Sequence, residues 1–354
     1  MRILIATDAW RPQINGVVST LERMTQAAAE LGAAFEFLTP QGMWSAPLPS
    51  YPEIRLAMPA LGWIGHRIEE VKPEHIHIAT EGPIGWLTRR YCLKHKRNFT
   101  TSYHTRFPEY VSARVRVPEW LTYAGLRHFH APSAAVMAPT PTISADLTRR
   151  GFARVRLWTR GVNHAIYRPR SKRALDLPRP VFLSVGRVSV EKNLEALLSL
   201  DLPGSTVIVG DGPARPHLER RYPHAHFLGA KQGEALADIY ASADVFVFPS
   251  RTDTFGIVMI EAMASGLPVA AYPVPGPIDV VAPGAGVLDE DLRAACLKAL
   301  NLSRDEAREH SMRFTWKESA RQFLDNIEAT RSDLRLKAAP SPKAIGAAQP
   351  VENG

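Results

Sequence analysis

The sequence predicts an α/β protein with two doubly wound parallel sheets, one in each of two domains. At ~150 residues per domain, 354 residues make about two domains. The order strand, loop, helix, strand occurs in both halves of the chain. A stretch rich in Pro and Arg, residues 167–180, separates the two series and is interpreted as a linker.

The first half opens with an apolar strand, residues 2–7, and a turn-rich loop that contains Gly16. Apolar residues at helical spacing follow over 17–31, and a strand is predicted at 35–38. A second unit places a strand at 76–79, a helix at 85–96 and a strand at 99–103. Residues 1–166 are therefore predicted to form one domain.

The second half repeats the pattern with shorter elements. The predicted strands are 181–185, 206–209, 225–228, 245–248 and 269–271, and the predicted helices are 192–199, 215–221, 234–241 and 256–265. Together they form a second domain over 181–302. Helices over 303–335 are expected to pack back on the first domain, and the Ala- and Pro-rich tail 336–354 is expected to be disordered.

Composition excludes several classes of protein. Cys92 and Cys296 are the only cysteines, so neither a disulfide framework nor a cysteine metal site can form. The first apolar run is too short for a signal peptide, and no stretch of ~18 apolar residues could span a bilayer. We therefore expect a cytoplasmic protein.

Positive charge is concentrated in residues 89–130. The chain carries a net charge of +8, and this stretch holds nine Lys and Arg against Glu109 and Glu119, with eight aromatic residues among them. Such a mixture fits an anionic membrane surface or a nucleic acid, or it is a solvated basic face over core aromatics. No recognised nucleic-acid module accompanies it.

The segment Gly-Arg-Val-Ser-Val-Glu-Lys-Asn, residues 186–193, follows a predicted strand directly. The planar guanidinium of Arg187 can donate two parallel hydrogen bonds to phosphate oxygens, and the ammonium group of Lys192 supplies a mobile positive charge. Together they can neutralise a diphosphate without a metal. Considered alone, the segment could equally be a loop with surface charges.

A second segment, residues 249–256, leads into a predicted helix that carries Glu261. Asp253 and Glu261 are at most ~12 Å apart along a helix, which suits one carboxylate at a sugar and the other at a ribose. Gly256 leaves the first amides of the helix open to an anion. The alternative is helix capping by Thr254 or Asp253 with a solvated Glu261.

These segments, in this order, resemble glycosyltransferase family 4. The resemblance includes the opening loop 8–17, Tyr-His-Thr at 103–105, Arg-Gly-Val-Asn at 160–163, and the stretch from Glu261 to Val269. It implies the GT-B fold, two Rossmann-like domains facing a central cleft, and retaining transfer from a nucleotide sugar. Asp253 replaces the usual Glu, and Asn163 the usual Asp.

The resemblance also implies roles for individual residues. Arg187 and Lys192 would hold the donor diphosphate, Gly16 would let its loop close over the phosphates, and Glu261 would bind the ribose. The residues expected at the transferring sugar are His104 and Asp253. The sequence offers no clear second carboxylate to act with Asp253 as a nucleophile, so we expect same-face displacement, with no metal or other cofactor.

The same motifs are most similar to the branch of the family that glycosylates membrane lipids, including diacylglycerol. A UDP-hexose or UDP-hexuronic acid is the expected donor, with GDP-mannose as the alternative. Peripheral binding to the inner face of the cell membrane is expected through four residues, Arg114, Arg116, Trp120 and Arg127. A dehydrogenase is disfavoured because no G-x-G-x-x-G follows the first strand of this sequence. A nucleotide-sugar epimerase is disfavoured because epimerases lack the arrangement found here at residues 186–193.

Overall fold

The protein is described here by a computed structural model that covers residues 1–11, 16–48, 51–60, 62–112, 117–171 and 174–338. The strands of the first half are β1 Arg2–Ala6, β2 Ala34–Leu38, β3 Ser45–Leu48, β4 Tyr51–Ala57, β5 His75–Ile78, β6 Phe99–Ser102, β7 Val136–Ala138 and β8 Val155–Leu157. Its helices are α1 Gly16–Ala29, α2 Trp63–Val71, α3 Pro83–Lys94, α4 Phe107–Ser112, α5 Glu119–His130 and α6 Pro141–Arg149.

The first sheet is parallel throughout, in the order β2-β1-β5-β6-β7-β8. Residues Ile3 to Ala6 of β1 are fully buried, because helices cover both faces of the sheet. The strand order reverses between β1 and β5, so the connections that follow these two strands run to opposite sides and leave a crevice at their carboxyl ends. An antiparallel hairpin, β3–β4, is inserted between β2 and α2.

The second half repeats this architecture. Its strands are β9 Val181–Val185, β10 Ser205–Val209, β11 His226–Phe227, β12 Val245–Phe248, β13 Val269–Ala271 and β14 Gly286–Leu288. Its helices are α7 Leu194–Leu198, α8 Arg215–Arg221, α9 Gly233–Ser242, α10 Ile257–Ala264, α11 Pro277–Val280, α12 Leu292–Ala299, α13 Arg304–Ser311 and α14 Trp316–Ala338. The parallel sheet runs β11-β10-β9-β12-β13-β14, with its crevice between β9 and β12.

The last two helices lie on different halves of the molecule. Helix α13 packs against α10 of the second sheet, whereas α14 packs against α1 of the first. The buried face of α14 joins the core around β1 through Ala320, Phe323 and Ile327. Gly161 is required where the chain crosses over, because a Cβ there would lie 2.3 Å from the backbone nitrogen of Trp316. The chain therefore returns to its first domain.

The predicted fold class, two doubly wound parallel sheets in an α/β protein, is confirmed. The hairpin β3–β4, the strands β7 and β8, and the helices between β6 and β8 are additions that the sequence pattern did not indicate. The tail was predicted to be disordered from residue 336, but residues 336–338 belong to α14, and residues 339–354 lie outside the described residues. Within the described ranges, no helix has both the length and the apolar composition needed to cross a bilayer.

Candidate active site

The two halves meet near their crevices, where side-chain hydrogen bonds cross from one half to the other. The Thr254 hydroxyl donates to the His104 carbonyl oxygen at 2.7 Å, and the Thr142 hydroxyl donates to Asp279 Oδ1 at 2.9 Å. Ligands of doubly wound sheets bind at such crevices, at the carboxyl ends of the strands. The candidate site therefore lies between the domains.

The loop after β9 carries the two cations assigned to the diphosphate. Arg187 and Lys192 line one small cavity together with Pro249 and Ser250, which follow β12. Asn193 adopts a left-handed conformation, with φ of 53°, and its amide donates to the Pro249 carbonyl at 3.0 Å. This bond ties the two loops together and brings the predicted diphosphate residues to the end of β12.

Glycines let the backbones at this edge approach closely. Gly210 has φ of +145°, and a Cβ there would lie 1.8 Å from the carbonyl oxygen of Gly186. Any side chain at 210 would thus separate the loops after β9 and β10. The Gly-Asp-Gly segment at residues 210–212 therefore shapes the crevice through its backbone.

Asp253 and Lys192 form an ion pair in the structure. Lys192 Nζ donates to Asp253 Oδ1 at 2.6 Å, and the two side chains are 25% and 16% exposed. The other carboxylate oxygen, Oδ2, is buried and has no hydrogen-bond partner among the described residues. A buried carboxylate oxygen without a donor is energetically costly, so Oδ2 has an unused capacity to accept a hydrogen bond.

Gly256 and Glu261 lie on the helix that follows. Gly256 has φ of +82° and precedes α10, and a Cβ there would lie 2.6 Å from the end of Met259. Glu261 Oε2 accepts the Tyr240 hydroxyl at 3.2 Å, and the Tyr167 hydroxyl also bonds this carboxylate. Burial raises the pKa of Glu261 to about 7.

His104 reaches the site from the first domain. Its ring is partly buried against Trp158 and uses both nitrogens within the protein, Nε2 with Ser102 Oγ at 2.9 Å and Nδ1 with Arg160 Nη2 at 3.1 Å. Burial and the neighbouring Arg160 hold the pKa of His104 well below its ordinary value. The ring is neutral, and the group that contacts the second domain is the His104 carbonyl.

Three of the remaining predicted residues, Gly16, Trp120 and Arg127, lie on helices of the first domain. Gly16 begins α1, where a Cβ would meet no other described atom within 4 Å. Trp120 is 70% exposed at the start of α5, and Arg127 is exposed near its end. Arg114 and Arg116 lie outside the described residues.

Several polar residues of this region were not singled out from the sequence. Asp8 accepts the backbone N–H of Ile84 at 2.8 Å and so caps α3, although burial raises the pKa of its carboxyl. Glu81 follows β5 and contacts buried His130 at 3.2 Å. Of these residues, only Glu81 could have been found from the sequence, because it follows a predicted strand. The capping role of Asp8 becomes visible only once the fold brings it to the start of α3.

Glu109 was counted only as a charge in the sequence, and the structure places it in a small polar cluster. Its Oε1 accepts from Arg106 Nε and from the Tyr123 hydroxyl, each at 2.8 Å. Arg106 is thereby neutralised and is not part of a basic surface. Across the described ranges, no three His, Cys, Asp or Glu side chains come together as metal ligands.

Comparison with known protein families identifies both halves of the chain. Residues 14–166 match the model described as "Glycosyltransferase Family 4", and residues 179–305 match "Glycosyl transferases group 1". A GDP-mannose-dependent alpha-mannosyltransferase of Mycolicibacterium smegmatis is 32% identical over 80% of this chain and 82% of its own length.

The chain belongs to glycosyltransferase family 4. It is an enzyme that transfers a glycosyl group, as predicted.

Two further relatives of this glycosyltransferase are a sulfoquinovosyl transferase and a glucosyldiacylglycerol synthase. Sulfoquinovosyl transferase SQD2 of Arabidopsis thaliana is 32% identical over 68% of this chain, which spans half of that protein's length. Alpha-monoglucosyldiacylglycerol synthase of Streptococcus pneumoniae is 25% identical over 88% of this chain and 81% of its own. The enzyme is thus related to glycolipid synthases.

Solved structures confirm the predicted GT-B fold. The glycosyltransferase superposes on sucrose-phosphate synthase of Thermosynechococcus elongatus with a TM-score of 0.73 and 20% identity, over 96% of this chain and 100% of that one. HepE of Anabaena, solved with UDP and glucose, gives a TM-score of 0.68 and 15% identity, over 92% and 99%. At this identity the likeness concerns the fold.

Proposed function

We propose that this glycosyltransferase moves a hexose or hexuronic acid from a UDP-sugar to a membrane lipid such as diacylglycerol, with retention of the α configuration. The observation that carries the proposal is the meeting of Lys192, Asp253 and His104 in one crevice between the domains. A cation for the leaving phosphate and a carboxylate for the sugar thus lie side by side, facing the domain that would bring the acceptor.

The donor is placed by four side chains and two glycines. Arg187 and Lys192 hold the diphosphate, Glu261 accepts the ribose hydroxyls, and the unpartnered Oδ2 of Asp253 accepts a hydroxyl of the sugar. Gly256 opens the amides at the start of α10 to the phosphates. Gly16, with open space beside it, lets the first loop close over them. HepE, which shares the fold, was solved with UDP and glucose.

The transfer proceeds on one face of the sugar. The acceptor hydroxyl attacks the anomeric carbon from the side that the diphosphate leaves, and its proton goes to the departing phosphate oxygen. Arg187 and Lys192 stabilise the negative charge of the leaving group, so no metal is needed. Turnover that survives a chelator supports this scheme, and a strict requirement for manganese or magnesium contradicts it.

The proposal of a membrane lipid as acceptor is supported by a stripe of exposed apolar and basic residues on α5. Trp120 and Leu121 are 70% and 51% exposed, and Arg127 lies one heptad after Trp120 on the same helix face. Trp86 of α3 is also exposed and stacks on His128. An exposed tryptophan beside cations suits the interface of an anionic bilayer, where diacylglycerol resides.

Vesicle sedimentation tests the membrane surface. Anionic vesicles should bind the protein at low salt, and 1 M salt, with a Debye length of about 3 Å, should release most of it. Trp120→Ala combined with Arg127→Gln should weaken binding, whereas Lys231→Gln in the second domain, an exposed lysine, serves as the matched control. Equal binding to neutral vesicles, or no loss in the double variant, would favour a soluble acceptor.

A second candidate donor is GDP-mannose. It is favoured by the mannosyltransferase of Mycolicibacterium smegmatis, which aligns over 82% of its own length with this chain. Incubation of the purified enzyme with diacylglycerol and each donor in turn separates the two candidates. Glycolipid formed from UDP-sugars only supports the proposal, and product formed from GDP-mannose only replaces it.

A further inference from the structure

Three histidines form a buried row across the first sheet. His75 and His77 lie on β5, and His104 follows β6. Burial lowers the pKa of His75 to about 3 and holds the pKa of His77 and of His104 well below the ordinary value. All three imidazoles are therefore neutral near pH 7, and each has one N–H and one lone pair.

Arg160 decides which nitrogen of His104 carries the hydrogen. Its side chain is 3% exposed and donates through Nη1 to the Trp158 carbonyl at 2.6 Å, while Nη2 lies 3.1 Å from His104 Nδ1. Burial lowers the pKa of Arg160 to about 9, which leaves it protonated at neutral pH. A guanidinium can only donate, so Nδ1 of His104 is the acceptor and Nε2 carries the hydrogen.

The hydroxyl of Ser102 connects His104 to His77 and so fixes the hydrogen-bond direction at His77 as well. His104 Nε2–H donates to Ser102 Oγ at 2.9 Å, which leaves the serine hydroxyl hydrogen for His77 Nε2 at 3.1 Å. Nε2 of His77 is then an acceptor. Since His77 is neutral, its hydrogen must be on Nδ1.

The same step repeats at the next pair of side chains. His77 Nδ1–H donates to Thr100 Oγ1 at 2.9 Å, and the threonine hydroxyl donates to His75 Nε2 at 2.9 Å. His75 therefore also carries its hydrogen on Nδ1. One buried cation, Arg160, thus accounts for the arrangement of protons across the whole row of histidines.

We propose that Arg160 is a positioning residue which, through this directed chain, fixes the tautomers of the three buried histidines and locks the ring of His104. The ring is held on both sides, so the His104 carbonyl is kept in place where it accepts the Thr254 hydroxyl of the second domain. The effect on catalysis rests on the proposed function; the tautomer pattern does not.

Nitrogen NMR of the histidine rings tests the chain directly, because protonated and unprotonated ring nitrogens differ in chemical shift. In folded wild-type protein labelled with ¹⁵N-histidine at pH 7, we expect Nε2–H on His104 and Nδ1–H on both His77 and His75. Signals are assigned by single His→Gln substitutions. An Nδ1–H form of His104, an Nε2–H form of His77, or an imidazolium at any of the three overturns the proposal. The spectrum needs no substrate, so a failed transferase assay cannot affect it.

Substitutions then connect the chain to activity. Arg160→Met should lower kcat by about 10- to 100-fold by misplacing His104, with nucleotide affinity within about twofold of wild type, and Arg160→Lys, which also only donates, should restore most of the loss. Ser102→Ala should leave Nε2–H on His104 but release His77 to the other tautomer. If Arg160→Met does not fold, the spectra of the wild-type protein and of Ser102→Ala still test the proposed tautomers. Unchanged kcat in folded Arg160→Met contradicts the positioning role.

Discussion

Lys192 Nζ lies 2.6 Å from Asp253 Oδ1, so the cation assigned to the diphosphate and the carboxylate assigned to the sugar form one ion pair. The pair joins the loop after β9 to the loop after β12. Its second carboxylate oxygen has no partner within the described part of the chain. Loss of either residue therefore alters the environment of the other as well as its own contact.

Lys192→Ala should lower kcat by about 10²- to 10³-fold, because the charge on the leaving phosphate grows as the bond breaks. KM should change much less. Steady-state kinetics of nucleotide release measure both, with Lys231→Ala as the exposed control of the same domain. A change confined to KM would show that Lys192 contributes only uniform donor binding.

Asp253→Ala should abolish transfer while nucleotide affinity, measured by calorimetry with UDP, stays nearly intact. Asp253→Glu should keep part of the activity and alter the preference among donors, because the carboxylate moves by one methylene. Glu290→Gln, at an exposed ion pair with Arg251, is the matched control. An unaltered donor preference in Asp253→Glu would mean that the shorter side chain is not a selectivity device.

The affinity for UDP should increase as the pH rises toward 7 and level off above it. Burial raises the pKa of Glu261 to about 7, and the ionised form is the better acceptor for ribose hydroxyls. Binding thus releases a proton below this pH. Calorimetry between pH 5.5 and 8 measures the effect.

Glu261→Gln is the control for this pH dependence, since the phosphate of UDP itself titrates near pH 6. The variant retains the phosphate contribution and loses that of the carboxyl. The same pH dependence in both proteins would show that Glu261 does not ionise on binding.

Phe323→Ala should destabilise the protein by about 3–5 kcal/mol. The ring is fully buried between α14 and the first sheet, with centroids 5.0 Å from Trp158 and 4.9 Å from His77. Urea unfolding measures the loss, and Glu328→Ala on the exposed face of the same helix should stay within about 0.5 kcal/mol. Equal stability of the two variants would show that α14 does not hold the first domain.

Local pattern was sufficient for four of the six strands of the first sheet, for five of the six strands of the second, and for the loops at their crevices. The strand at 181–185 was predicted with its observed bounds, because five apolar residues buried on both faces leave an unambiguous run. The hairpin β3–β4 was not predicted, because Pro47 and Pro52 within its strands disfavour a strand assignment. The pairing of the two strands also cannot be inferred from either segment alone.

By itself the sequence determined which chemical groups follow which strands: Arg187 and Lys192 after β9, Asp253 after β12, and His104 after β6. Only the tertiary structure decided how these groups are paired. Lys192 bonds Asp253, and Arg160 bonds a histidine 56 residues away, which turns the ring of His104 inward and its carbonyl toward the second domain. Such pairings depend on distances between strand ends, and these distances are set by strand order and helix packing rather than by the local spacing of residues.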